Sequence, residues 1–175
     1  MKITLFWLAW SWTSTIWKLL SEEIGYKFMS SWNIMRSWAE DLWLSIYDFE
    51  DQVVKDDPNF DVKLDNYVED FWKKNNKFIF ESRLAWNFIP DSYKIYLKCD
   101  ENIRYERISW REWVSLDEII EKNTKREEWA EKRYAVVYPD ISFPPTEDVF
   151  DLIINVNDLT PEEILLEIKE RLKKI

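Results

Sequence analysis

Four hydroxyl side chains, Ser11, Thr13, Ser14 and Thr15, cluster where an apolar strand-like run, Lys2 to Phe6, gives way to a helix-like one. A junction of this kind can bind phosphate. Consecutive backbone N–H groups point inward at the positive end of a helix, and a Ser or Thr hydroxyl ligates Mg²⁺. The intervening loop needs glycines, which reach positive φ and leave no side chain in the phosphate volume. Here the loop reads Trp7-Leu8-Ala9-Trp10-Ser11-Trp12-Thr13-Ser14-Thr15. With Gly read for each Trp it becomes G-L-A-G-S-G-T-S-T, a P-loop in which Thr13 stands where Lys is usual. As written, three indoles occupy the space a phosphate would take, and the loop should bind a triphosphate poorly.

The composition points the same way. The chain has 12 tryptophans and one glycine, Gly25, where average usage gives about 12 glycines. Most of the tryptophans therefore read as glycines. A gene from a lineage that decodes UGA as Gly, translated with a table that decodes it as Trp, produces this pattern and spares glycines from ordinary codons. UGG codons at positions 7, 10 and 12 would overturn that origin; a deliberate Gly-to-Trp design is the less favoured one. Trp38, Trp86 and Trp129 fall where a genuine aromatic suits. Two competing readings carry less weight. One is a buried aromatic cluster on a strand–turn–helix. The other is a Trp-rich surface that stacks sugars or bases, or anchors in a membrane. These tryptophans follow loop and turn positions rather than one face of an element.

Length and charge bound the remainder. The 175 residues fit one domain spanning 1–175, large enough to bury a core. A net charge of −10 argues against a general nucleic-acid binder, which would show a basic face. The single cysteine, Cys99, excludes an intrachain disulfide and fits a reducing cytoplasm. With no histidine in the chain, His acid–base chemistry and His metal sites are excluded. Ile3 to Trp17 mimics a membrane anchor, yet it is too short to span and holds Ser11, Thr13, Ser14 and Thr15. No targeting segment and no membrane partner are expected.

The elements that must position this loop alternate between strand and helix, the pattern of an α/β fold with a parallel sheet. Strands are expected at Ile3–Phe6, Tyr26–Met29, Lys77–Phe80, Tyr93–Lys98 and Leu152–Val156. Helices are expected at Thr13–Ile24, ending at Gly25, and at Asn33–Leu42, Ser45–Lys55, Asn59–Lys74 and Asp100–Ser109. Ser115 with Glu118 reads as a capping box opening a charged helix to about Val136. Asp140–Asp148 reads as a loop. Thr160-Pro161-Glu162-Glu163 starts the last helix, whose core stripe is Ile164, Leu165, Ile168, Leu172 and Ile175.

Read in order, the motifs resemble a known family. The P-loop with Thr13-Ser14-Thr15 is followed by Ser30-Ser31-Trp32-Asn33-Ile34-Met35-Arg36 and by Asp57-Pro58-Asn59-Phe60-Asp61. Then come Phe80-Glu81-Ser82-Arg83-Leu84-Ala85, the run Arg104 to Trp113, Arg126-Glu127-Glu128, Lys132-Arg133-Tyr134 and Asp151 to Asn155. Over essentially its whole length the chain resembles the short cytidylate kinases of archaea and some bacteria, within the P-loop nucleoside monophosphate kinases. Trp32, Trp43 and Trp113 again stand where that family has Gly.

The resemblance implies a three-layer α/β P-loop kinase with a central parallel five-stranded sheet. Acceptor-binding helices would lie at about 30–75 and a helical lid at about 101–138. It implies ATP as donor, Mg²⁺ bound by Ser14, and CMP or dCMP as acceptor. Ser31, Arg36, Arg83 and Asp140 would serve the acceptor. The lid arginines Arg107, Arg111, Arg126 and Arg133 would close over the transferring phosphoryl group, since this chemistry needs positioning and charge rather than a nucleophilic side chain. Arg126 and Arg133, about two turns apart, can face one cleft. A cytoplasmic monomer is expected. The alternatives are a kinase for another acceptor such as AMP or UMP, or a catalytically dead P-loop binding module if Trp7, Trp10 and Trp12 are real.

Overall fold

A computed structural model describes residues 1–8 and 13–174, without the side chains of residues 13–15 and 47. Five strands form one sheet: β1 (Lys2–Phe6), β2 (Lys27–Ser30), β3 (Phe78–Glu81), β4 (Tyr93–Lys98) and β5 (Leu152–Asn155), in the order β2-β3-β1-β4-β5. Every pairing is parallel. All five carboxyl ends therefore share one edge. The order reverses at β1, and ligands of open α/β sheets bind at such an edge, near the reversal.

Helices cover both faces. Helices α1 (Thr13–Ile24) and α8 (Pro161–Leu172) lie on one side; α2 (Ser31–Asp41), α3 (Ile46–Phe49), α4 (Phe60–Lys74) and α5 (Ala85–Phe88) lie on the other. The period-two geometry of β3 serves both. Ile79 joins Ile3, Leu5, Ile16, Leu20 and Ile164 in the first core, while Phe78 and Phe80 join Met35, Phe60 and Leu64 in the second. Burying each phenylalanine contributes about 2–3 kcal/mol. Two further helices, α6 (Glu101–Glu112) and α7 (Leu116–Val137), carry a small core of their own from Tyr105, Ile108 and Ile119.

The expected strands all form, Tyr93–Lys98 with the expected bounds and the others with ends shifted by one residue at most. Helix α6 runs on to Glu112 instead of stopping at Ser109, and the Ser45–Lys55 helix becomes α3 followed by a π-helical turn, Glu50–Val54. Two short pieces have no counterpart in the sequence reading: α5, and a 3₁₀ turn at Glu147–Val149 inside the expected loop. At the start of α7, Ser115 accepts from the Glu118 backbone N–H at 3.3 Å. The reciprocal capping box forms at Thr160 and Glu163. Ile175 lies outside the described residues.

Three helices end in one way. After α1, α2 and α6 a residue in the left-handed region is followed by an N–H that reaches back five residues: Tyr26 to Ser21 O (2.9 Å), Leu44 to Ala39 O (2.9 Å) and Val114 to Ser109 O (3.4 Å). The left-handed residue is Gly25 (φ 67°) in the first case, and Trp43 (φ 59°) and Trp113 (φ 57°) in the others. Glycine is the usual occupant of this position, because a Cβ crowds the carbonyl there. Trp43 and Trp113 are 96% and 90% exposed, so neither indole gains packing that would offset the strain. Trp32 differs: it sits within α2, and its backbone gives no reason for glycine.

Candidate active site

The carboxyl edge gathers most of the residues singled out in the sequence. Trp7 and Leu8 leave β1, and Trp7 packs half-buried against the first core. Ala9, Trp10, Ser11 and Trp12 lie outside the described residues, as do the side chains of Thr13, Ser14 and Thr15. What is described is the frame: a central strand, and α1 starting at Thr13 with its amino end toward the loop.

On the β2–β3 side, Ser30 caps α2 by accepting from Asn33 N–H at 3.0 Å. The neighbouring Ser31 hydroxyl is buried with no partner among the described residues. Arg83 lies two residues past the end of β3, and Arg36 lies exposed further along α2. Neither guanidinium has a hydrogen bond or ion pair with a described residue. Asp140 is exposed in the turn after α7, away from any arginine contact among the described residues.

Helix α7 faces this same side. The Arg126 guanidinium lies 3.7 Å from Glu50 and 4.9 Å over Trp32. Arg133 donates from Nη2 to Asp61 Oδ1 at 2.5 Å and stacks over Trp129 at 4.2 Å. One turn on, the Tyr138 hydroxyl donates to Asp65. Tyr134, between them, feels the charges of Arg83, Asp61, Arg133 and Asp65, and burial pushes its hydroxyl up. Burial also pushes the Asp61 carboxyl up, with Arg133 pulling against it. For Asp65 burial prevails, and the group is pushed up to about 7. Thus Arg126 and Arg133 share one side of the molecule, and the carboxylates of Glu50 and Asp61 meet them there.

Arg107 and Arg111 are placed elsewhere. Arg111 is exposed and pairs with its neighbour Glu112 at 2.7 Å. Arg107 was expected over the transferring phosphoryl group. Instead it donates from Nη1 to Val156 O (3.1 Å) and from Nη2 to Asn157 O (2.6 Å), in the loop after β5. A planar fork is well shaped to hold two adjacent carbonyls.

Four residues were missed. Asp61 lies in a motif whose spacing gives it no role, and no local pattern marks Asp65 or Tyr138. Arg104, only 4% exposed, pairs with Glu127 at 2.8 Å and joins α6 to α7. A fifth is notable for its place: Glu81 is buried at the carboxyl end of β3, paired in register with Leu5 beside the loop after β1. Its oxygen donors suit a hard cation such as Mg²⁺. The signal was available, since a carboxylate closing an apolar strand is unusual.

Comparison with known proteins decides the family. The AAA domain family profile matches residues 13–130. A cytidylate kinase from Methanobrevibacter smithii is 35% identical over 175 residues, covering 100% of both chains. One from Methanosphaera stadtmanae is 34% identical over 170 residues, covering 97% of this chain and 96% of its own. The chain belongs to the cytidylate kinase family. Among solved structures, the shikimate kinase of Aquifex aeolicus superposes with a TM-score of 0.60 at 20% identity, covering 99% of this chain and 97% of that one. That likeness is one of fold, and it agrees with the five-stranded parallel sheet. Members of the cytidylate kinase family are nucleoside monophosphate kinases, with ATP as phosphoryl donor. Among the described residues no helix is long and apolar enough to cross a membrane.

Proposed function

We propose that this protein transfers the γ-phosphoryl group of ATP to CMP or dCMP, with Mg²⁺, giving the diphosphate and ADP. The observation that carries the reading is the convergence on one sheet edge of the loop after β1, the Ser31 hydroxyl and the Arg83 fork, the last two without a partner among the described residues. A buried hydroxyl without a partner costs about 1–3 kcal/mol, a cost that an acceptor phosphate bound there removes. Arg83 grips that phosphate in bidentate fashion, with Arg36 and Asp140 at the margin of the acceptor site. Arg126 and Arg133 approach from α7 to spread the charge of the transferring group and exclude water. Ser14 and Glu81 would hold Mg²⁺, which supplies further charge neutralisation when bound. We place the enzyme in the cytoplasm as a monomer, without nucleic-acid or membrane partners.

The reading carries a second part: positions 7, 10 and 12 are glycine in the working enzyme. Trp43 and Trp113 support it, because both hold the backbone that Gly25 holds at the same kind of helix end. The buried indole N–H of Trp17, which has no partner among the described residues, also suits a smaller native residue. Trp38, Trp86 and Trp129 differ. Trp38 sits edge-on to Phe60 and Tyr67, Trp86 donates to Arg83 O at 3.0 Å, and Trp129 underlies Arg133.

The test compares the chain as written with one carrying Trp7→Gly, Trp10→Gly and Trp12→Gly. Each is assayed for ADP formation with CMP, dCMP, UMP and AMP. The reading expects the glycine form to turn over CMP and dCMP while the written chain does not. Turnover of AMP or UMP in preference would overturn the acceptor. If neither form turns over any acceptor and Mg²⁺–ATP fails to raise the melting temperature, the protein is a binding module instead.

A further inference from the structure

Arg133 carries more donors than the fold uses. Its Nη2 donates to Asp61 Oδ1 at 2.5 Å, while its Nε and Nη1 atoms are buried with no partner among the described residues. A second carboxylate stands nearby. Asp65 lies one turn past Asp61 on the same face of α4, and it feels the charges of both Arg133 and Asp61. No bond joins Asp65 to either free arginine atom. Its carboxyl accepts instead from the hydroxyl of Tyr138, the residue that closes α7.

The charged and titratable groups around this carboxyl come from three elements. Helix α4 gives Asp61, α7 gives Arg133, Tyr134 and Tyr138, and the segment after β3 gives Arg83, whose charge reaches Tyr134. From α5 comes only the uncharged ring of Phe88, edge-on to Tyr138 at 5.2 Å. Without the Tyr138 hydroxyl, the strongest donors left to an ionised Asp65 are the two buried atoms of Arg133. We propose that Tyr138 is a positioning residue: by holding the Asp65 carboxyl it keeps Arg133 Nε and Nη1 open for phosphoryl oxygens. A charge-assisted bond from either atom to Asp65 would tie down the guanidinium that must spread the charge of the transferring group. Burial pushes Asp65 up to about 7, so the competition arises above that pH, where the group is ionised. This inference rests on the kinase reading above.

The test uses the enzyme with glycine at positions 7, 10 and 12, its Tyr138→Phe variant and the double variant Tyr138→Phe/Asp65→Asn, assayed with ATP and CMP at pH 6 and pH 8.5. At pH 8.5 Tyr138→Phe should lose about tenfold in kcat against the parent, and at pH 6, where Asp65 holds its proton, about twofold at most. The double variant should return to within about twofold of the parent at both pH values, because a neutral amide holds a guanidinium weakly. Equal losses at the two pH values, or a loss that Asp65→Asn fails to reverse, would overturn the inference. So would a Tyr138→Phe enzyme that matches the parent at pH 8.5. Should circular dichroism show Tyr138→Phe unfolded, Tyr138→Leu decides by the same comparison. A parent enzyme inactive on every acceptor overturns the kinase reading itself, before any variant is made.

Discussion

Arg133 and Asp61, 72 residues apart in sequence, are joined by an Nη2–Oδ1 hydrogen bond of 2.5 Å that bolts the end of α7 to the first turn of α4. The Asp61 side chain is 7% exposed and that of Arg133 21%. Breaking a buried pair from one side costs about 3–5 kcal/mol. Asp61→Asn should sit at the lower end, about 3 kcal/mol, because Arg133 retains some access to water. Urea denaturation measures this; a loss under about 1 kcal/mol would show that the pair is not a fastening.

The neighbouring carboxyl gives a pH dependence with a defined sign. Asp65 is pushed from an ordinary 3.8 up to about 7, chiefly by burial, against the Tyr138 hydrogen bond. The folded chain then binds this proton more tightly than the unfolded one. Its contribution to stability falls as pH rises through that window and levels off above it. Asp65→Asn removes the titration, so the variant should gain on the parent by up to about 1.4 kcal/mol per pH unit. Urea curves at pH 5, 6, 7 and 8 test it, and a constant gap between the two would refute it.

The two strained helix ends predict stabilising substitutions. A side chain in the left-handed region costs about 1–2 kcal/mol, and neither exposed indole offsets it. Trp43→Gly and Trp113→Gly should each add about 1 kcal/mol, additively, since they cap different helices. Thermal denaturation of the two singles and the double would settle the matter. A net loss at either position would mean that its indole has a partner of its own.

Arg104 and Glu127 should behave as a coupled pair. Arg104→Met leaves Glu127 half-buried without its cation, whereas adding Glu127→Leu removes the orphaned charge. We expect a coupling energy of about 1–2 kcal/mol from the double-mutant cycle. Strict additivity would count against the contact as a link between α6 and α7.

Local signals made much of this fold legible. The strands stood out as short apolar runs, α1 was bounded by Gly25, and α8 by its Thr160 cap. The four residues of α5 were too few to show a helical period, and the π-helical turn at Glu50–Val54 has no sequence signature. Sheet order is set by pairings made across the fold, which the residues of a single strand do not mark. In the site, Ser31 follows β2 directly and Arg83 lies two residues past β3, so both could be named. The described partners of Arg107 include backbone carbonyls, which every residue offers and no motif marks. Asp61 and Arg133 were each visible, but a pairing made across the fold leaves no trace in local spacing.

Among the described residues Tyr105, Ile108 and Ile119, with Val114 packed against them, form the apolar centre of the α6–α7 hairpin, too little apolar surface to keep two helices folded unaided. Its order is borrowed at either end, from the loop after β5 through Arg107 and from α4 through Arg133. Local unfolding should therefore start at the Trp113 turn and spread outward along both helices. Amide protons near that turn should exchange earliest, and the first proteolytic cut should fall there, leaving a five-stranded remnant that still resists the protease.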